Sequence, residues 1–243
     1  MYVTPDGNPC ESGDEPVLIA RRTGCPVAVH PDRLAAARML AGQGIDVVVA
    51  DDGLQHYRLG RQFELAVVDG RRRLGNGRLL PAGPLREPPS RLGAVDRVLV
   101  NGGDVESIRR LVAGTVPVAR FTLVPRAALR VDGDGERTLA SFRGAPVHAL
   151  AGIGSPDRFF SELEAHGLDV RPCPLPDHAE ITPSDLDFGD EYEVLMTEKD
   201  AVKCARFAHS RCWFVPVDLS LDEDDAWVDE LANHLRSELD HHD

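Results

Sequence analysis

The sequence predicts an α/β protein of two lobes, each built on a mostly parallel sheet, joined by a β-hairpin. Three observations carry this reading. Short apolar runs rich in β-branched residues alternate with segments of helical periodicity, the pattern of strand–helix–strand units. Several of these runs end in Asp or Asn beside Gly, as at the carboxyl ends of parallel strands, where such sheets bind ligands. Between residues 118 and 142 the alternation gives way to two extended segments around the turn DGDG, a hairpin signal. The expected division is a lobe over 1–117, a hairpin linker over 118–142 and a second α/β lobe over 143–243.

In chain order, VLIARRTG after GDEP (13–16) reads as helical, and PVAVH (26–30) as a strand. The segment PDRLAAARMLAGQG reads as a helix, with Asp32 near its start and Gly42 and Gly44 near its end. IDVVVA (45–50) is expected to be a strand buried on both faces, ending at Asp51, Asp52 and Gly53. FELAVVDG (63–70) and DRVLVNGG (96–103) repeat that form, so Asp51, Asp52, Asp69 and Asn101 all fall at strand ends. A helix follows through DVESIRRLVAG. In the second lobe PVHALAGIGSPDRFFSELEAHG gives strand, Gly-rich turn and helix. The alternation continues through LDVRPCPLP, PSDLDF, EYEVLMT and DAVKCARF. CWFVPVDLSL is expected as the last strand and DDAWVDELANHLRSEL as a closing amphipathic helix. GIGSPDRF lacks the full GxGxxG spacing, which favours tight backbone packing over dinucleotide binding. The terminal DHHD is a charged chain end rather than a metal cluster.

Composition narrows the function classes. With 243 residues, 42% hydrophobic and 28% charged, the chain has the makings of a normal globular core. No stretch approaches the roughly 20 apolar residues that span a bilayer, and MYVTPDGNPCESGDEP is not expected to act as a signal peptide. Five scattered cysteines form no CxxC pair, which argues against a zinc knuckle or disulfide framework and fits a reducing cytoplasm. A net charge of −13 argues against a nucleic-acid partner. Yet residues 71–91, RRRLGNGRLLPAGPLREPPSR, hold six arginines against one glutamate. Such an island is either a solvated loop or a site for an anionic ligand such as a phosphate. The chain's two lysines, Lys199 and Lys203, both lie in TEKDAVK, by chance or because a compact cation is needed there.

Three places could carry chemistry: the carboxylates of GDEP, the acid pair of DDGLQHYR, and Asp177–His178 in LPDHAEIT (175–182). Adjacent like charges repel, so Asp51 and Asp52 are either a solvated turn or a cation site. An apolar strand ending in Asp is the arrangement by which ATP-binding α/β proteins hold magnesium. An Asp and a His from different loops can form a proton-accepting dyad.

Taken together, GDEPVLIARRTGCPVAV, DDGLQHYRLGR, VVDGRRRLGNGRLLPAGPLREPPSRL, AGIGSPDRFF, PDH and LMTEKDAVK occur in the order seen in the tetraacyldisaccharide 4'-kinases. The sequence resembles that family, the lipid A 4'-kinases, over nearly its whole length. The resemblance implies ATP-dependent phosphorylation of the 4'-hydroxyl of a tetraacyldisaccharide 1-phosphate, the lipid A precursor. Mg²⁺ would take part, at the cytoplasmic face of the inner membrane of a Gram-negative bacterium. It implies Asp14 as general base with His178, and Asp51 and Asp52 on Mg²⁺–ATP. Gln55, Arg86 and Glu87 would serve the nucleotide, and Asn76, Arg78 and Arg58 the substrate. The family also carries a Gly-rich loop ending GK[ST] upstream of GDEP, preceded by an apolar membrane-anchoring helix. No GxxxxGK[ST] occurs in these 243 residues, and Lys199 and Lys203 stand in a different context. The N-terminal lobe is therefore expected to be a shortened P-loop-NTPase-like sheet. Two readings stand against the kinase: an inactive remnant that binds lipid or a partner, and a Mg²⁺-dependent hydrolase using Asp51, Asp52 and His178 without ATP.

Overall fold

The computed structural model describes residues 1–222 and 226–239. The chain opens with β1 (Tyr2–Val3), α1 (Pro9–Ser12), α2 (Asp14–Thr23), β2 (Val27–Ala28) and α3 (Arg33–Ala41). Next come β3 (Leu65–Asp69), β4 (Arg97–Asn101), α4 (Val105–Leu111) and β5 (Val118–Pro125). The remainder holds β6 (Ala128–Arg130), β7 (Glu136–Arg137), β8 (Pro146–Ala151), α5 (Pro156–Ala165) and β9 (Asp169–Pro174). After these lie β10 (Glu193–Thr197), α6 (Glu198–Cys204), β11 (Cys212–Val215), β12 (Val217–Leu221) and α7 (Ala226–Leu239). Two compact units result, and each takes two pieces of chain: Met1–Leu40 with Pro125–Asp218, and Ala41–Val124 with Leu219–Asp243. This differs from the sequential division at 117/118 and 142/143, because packing, not chain order, assigns the first 40 residues.

The first unit carries a six-stranded sheet ordered β7-β6-β11-β10-β8-β9. Strands β11, β10, β8 and β9 run parallel, while β6 and β7 form the antiparallel margin. Side chains alternate across a strand, so both faces must be covered where both are apolar. Val147, Ala149, Ala151, Leu195, Trp213 and Val215 pack on one face with Phe160 and Leu163 of α5. Their neighbours Leu150, Val194, Met196 and Cys212 pack on the other with Ala201 and Cys204 of α6. Val202 of α6 meets Val17 and Ala20 of α2 in a further cluster, which docks the N-terminal helix on α6. β9 holds Pro172 and Pro174, tolerable because it is an edge strand whose missing N–H groups break no inner ladder.

The second unit has a four-stranded sheet ordered β12-β5-β4-β3, with β3, β4 and β5 parallel. Ala66, Val68, Val98 and Val100 face Ile108 of α4. Leu99 and Phe121 face the opposite way, with Trp227 of α7 packed against them. Gly70 and Gly103 allow the ends of β3 and β4 to meet: a Cβ on Gly70 would lie 2.0 Å from the Gly102 carbonyl oxygen.

Three expected elements differ. Ile45–Ala50 is not a strand; Val49 is 91% exposed, and among the described residues no strand pairs with the segment. A run of apolar side chains becomes a strand only when a ladder partner satisfies its backbone. The two extended segments of 118–142 do not pair with each other: β5 joins β4, whereas the DGDG turn closes the small β6–β7 hairpin. CWFVPVDLSL breaks at Pro216 into two strands that belong to different sheets.

Candidate active site

Asp14 is the first residue of α2, behind Gly13 at φ 93°, a conformation that favours glycine. Its Oδ1 accepts the Glu15 N–H at 2.9 Å. Its Oδ2 faces three cationic or ionisable groups: Lys203 Nζ at 3.5 Å, His178 Nδ1 at 3.7 Å and Lys199 Nζ at 4.0 Å. The Asp14 side chain is 11% exposed, the His178 ring 63%. His178 occupies a tight turn at φ 58°, its N–H held by Asp177 Oδ1 at 3.1 Å. Asp14 and His178, expected together from the sequence, thus lie side by side from segments 164 residues apart. They help line a cavity of about 620 Å³ together with Met1, Val29, His30 and Arg33.

The lysines enter through α6, whose N-cap is Thr197. The Thr197 hydroxyl donates to Asp200 Oδ2 at 2.6 Å and accepts the Asp200 N–H at 3.2 Å, closing the helix start. Asp200 is fully buried, and its carboxylate also accepts the Gly152 N–H at 3.0 Å and Lys203 Nζ at 3.1 Å. Gly152, from the GIGSPDRF turn, is a packing glycine as expected: a Cβ there would lie 3.0 Å from Asp200 Oδ1. Lys199 donates to Glu15 Oε1 at 3.0 Å and lies 3.9 Å from Asp177 Oδ1. Burial opposes its charge, but the Glu15 hydrogen bond and the Asp14, Glu15 and Asp177 carboxylates outweigh it and raise its pKa. The sequence marks both lysines without giving them a role and does not single out Asp200; the T-x-x-D cap at Thr197 is the one signal it carries for that residue.

In the second unit, Asp51 and Asp52 are adjacent exposed carboxylates on a turn, Asp52 at φ 50°. Arg61 steadies the turn by donating to the Gly53 and Leu54 carbonyls at 2.8 and 3.1 Å. Gln55 and Glu87 meet each other, Nε2 to Oε1 at 2.8 Å, and Tyr57 donates a further hydrogen bond to Glu87. Those two bonds, Tyr57 foremost, hold the Glu87 carboxyl below its ordinary value. Asn76 spends its amide locally, donating to Ala82 O at 2.9 Å and accepting the Arg78 N–H at 3.1 Å. Arg58, Arg78 and Arg86 are exposed and form no ion pair among the described residues. Asp69 serves its own turn, accepting the N–H groups of Arg71 and Arg72.

Among the described residues no three His, Cys, Asp or Glu side chains form a metal-holding group. The pair Asp51–Asp52 still suits Mg²⁺, which commonly takes one or two carboxylates and completes its shell with phosphates and water. Burial pushes the Cys204 thiol up to about 12, which rules it out as a nucleophile at neutral pH. The terminal DHHD lies outside the described residues.

A sequence profile for tetraacyldisaccharide-1-P 4'-kinase matches residues 1–236. The chain belongs to this family. Curated relatives named tetraacyldisaccharide 4'-kinase include one from Alkalilimnicola ehrlichii, 53% identical over 89% of this chain. Those from Nitrosococcus oceani and Aromatoleum aromaticum are 50% and 52% identical over 91% and 89% of it. The chain spans 62%, 63% and 65% of the lengths of these three relatives. A crystal structure of LpxK from Aquifex aeolicus, in complex with ATP, superposes with a TM-score of 0.73 at 23% identity. It covers 94% of this chain, and this chain covers 70% of it. The parallel α/β fold of this 4'-kinase family member thereby agrees with the class read from its sequence. No helix of the described residues is long and apolar enough to cross a membrane.

Proposed function

We propose that the protein takes part in ATP-dependent phosphorylation of the 4'-hydroxyl of a tetraacyldisaccharide 1-phosphate, the lipid A precursor, at the cytoplasmic face of the inner membrane. The observation that carries this reading is the Asp14–His178 pair, 3.7 Å apart at the cavity of the first unit, in a member of the 4'-kinase family. In the reaction the 4'-oxygen bonds to the γ-phosphorus, the bond to the β–γ bridging oxygen breaks, and ADP leaves. Asp14 accepts the proton released by the hydroxyl, and the His178 ring beside Oδ2 is near enough to stabilise the protonated pair. Mg²⁺, held by Asp51 and Asp52, would neutralise phosphate charge. Gln55 and Glu87, already coupled, and Arg86 serve the nucleotide. Arg58 and Arg78, exposed and without an ion pair among the described residues, offer guanidiniums to a phosphorylated lipid headgroup, with Asn76 bracing the loop that carries Arg78.

The test is transfer of label from γ-³²P-ATP to tetraacyldisaccharide 1-phosphate by protein expressed with any in-frame sequence preceding Met1. Asp14→Asn should lower kcat by at least about 100-fold, the usual weight of a general base. Release of free phosphate without labelled lipid would favour a hydrolase and overturn the proposal. Undiminished transfer by Asp14→Asn would remove Asp14 from the base role.

A further inference from the structure

We propose that Lys203 is a positioning residue for Asp14, an ammonium clamp that ties the catalytic carboxylate to the buried Asp200. The inference rests on the reading of Asp14 as the base and adds what holds it. Asp200 is fully buried and fixed by Thr197 Oγ and Gly152 N–H on one oxygen. Its other oxygen accepts Lys203 Nζ at 3.1 Å, which sets the ammonium against a part of the fold that cannot shift without breaking the helix cap and the β8 turn. The same nitrogen lies 3.5 Å from Asp14 Oδ2. Asp14 and Lys203 are 11% and 10% exposed, so each is a mostly desolvated charge that needs a partner.

Lys199 completes the arrangement from the other side. It stands 4.0 Å from Asp14 Oδ2, is anchored by Glu15, and is held in its charged form by the surrounding carboxylates. The chemistry explains the composition. Of the 27 lysines and arginines in this chain, the two lysines are both here. A small ammonium with three donors can sit between two carboxylates approaching from different directions, whereas a planar guanidinium matches one carboxylate edge-on. Among the described residues, Lys203, His178 and Lys199 pair with Asp14 Oδ2 within 4.0 Å; Glu15, Asp177 and Asp200 partner those cations, and Glu11, His30 and Arg33 share the cavity wall with Asp14.

Two measurements test the clamp. In the phosphoryl-transfer assay, Lys203→Met should lower kcat about 10- to 100-fold, with KM for ATP and lipid within about 2-fold, since a misplaced base harms the reacting geometry rather than binding. In an Asp14→Asn background the same substitution should change kcat by less than about 2-fold, because Lys203 acts through Asp14. An equal loss in both backgrounds would overturn the clamp and mark Lys203 as merely structural. An Asp14→Asn variant with normal kcat would instead overturn the base assignment on which it rests. The second measurement needs neither activity nor a Lys203 substitution, and so holds even if Lys203→Met does not fold. Lysine labelled at ¹⁵Nζ gives two side-chain signals in this chain, assigned with Lys199→Arg. Asp14→Asn should move the Lys203 signal clearly; a Lys203 signal that does not move would refute the contact.

Discussion

Replacing Asp200 by alanine strips three donors of their acceptor inside the first unit: Gly152 N–H at 3.0 Å, Thr197 Oγ at 2.6 Å and Lys203 Nζ at 3.1 Å. Hydrogen bonds to a charged group are worth about 1.5–3 kcal/mol each, which would sum to roughly 4.5–9 kcal/mol. The sum overstates the loss, because the carboxylate no longer has to be desolvated and Lys203 keeps Asp14 at 3.5 Å. Removing one member of a buried pair costs about 3–5 kcal/mol, and we expect about 4 kcal/mol for Asp200→Ala. Asp200→Asn keeps an acceptor for Gly152 and should cost about half as much. The assay is urea unfolding followed by Trp213, which is buried in β11 against Phe142, in a Trp227→Phe background that leaves this one tryptophan as reporter. With a slope of about 2 kcal/mol per molar urea, the alanine variant should unfold about 2 M earlier. A loss below about 1 kcal/mol, or equal losses for alanine and asparagine, would refute the argument that this carboxylate organises the α6 start.

Other perturbations separate packing from chemistry. Gly70→Ala would drive a Cβ to 2.0 Å from Gly102 O, so it should destabilise the second unit by about 2 kcal/mol or more and speed hydrogen exchange in β4. Tyr57→Phe removes the bond that most lowers the Glu87 pKa. Because that pKa is depressed, the stabilisation is present above the ordinary value of 4.5 and lost as pH falls through the lowered one. Urea melts should therefore show a deficit of about 0.5–1 kcal/mol at pH 7 that shrinks as pH falls through the lowered Glu87 pKa. Arg78→Ala and Arg86→Ala should leave stability within about 0.5 kcal/mol. In the transfer assay Arg78→Ala should raise KM for the lipid phosphate, and Arg86→Ala KM for ATP, about 10-fold each.

Much of the fold was legible because local pattern and tertiary outcome agree. β3, β4, β8 and β10 fall where apolar runs end in polar turns, and Pro156 opens α5 after the GIGS turn. What the sequence withheld was partnership. Val17 and Ala20 give α2 an apolar face, but nothing in their spacing says that it packs on Val202 of α6, some 180 residues later. The same gap hid the site's frame: Asp14, His178 and the two lysines come from three distant segments. The resemblance to the 4'-kinases paired Asp14 with His178, while Asp200 looked like one more helical acid.

The need for a cation to offset carboxylate charge is greater at Asp14 than at Asp51 and Asp52. Two neighbouring carboxylates demand a cation only where water cannot screen them. Asp51 and Asp52 are exposed, so their repulsion costs little, and their candidacy for Mg²⁺ rests on the motif DDGLQHYR rather than on electrostatic necessity. Asp14 is 11% exposed and is met by Lys203, His178 and Lys199 within 4.0 Å. Opposite outcomes follow for neutralisation at the two places. Asp51→Asn with Asp52→Asn should leave the unfolding midpoint unchanged and abolish only Mg²⁺-dependent behaviour. Asp14→Asn should shift the midpoint measurably, since two mostly buried lysines lose a nearby anion. A stability loss at the exposed pair together with none at Asp14 would show that screening, as read from burial, does not govern these charges.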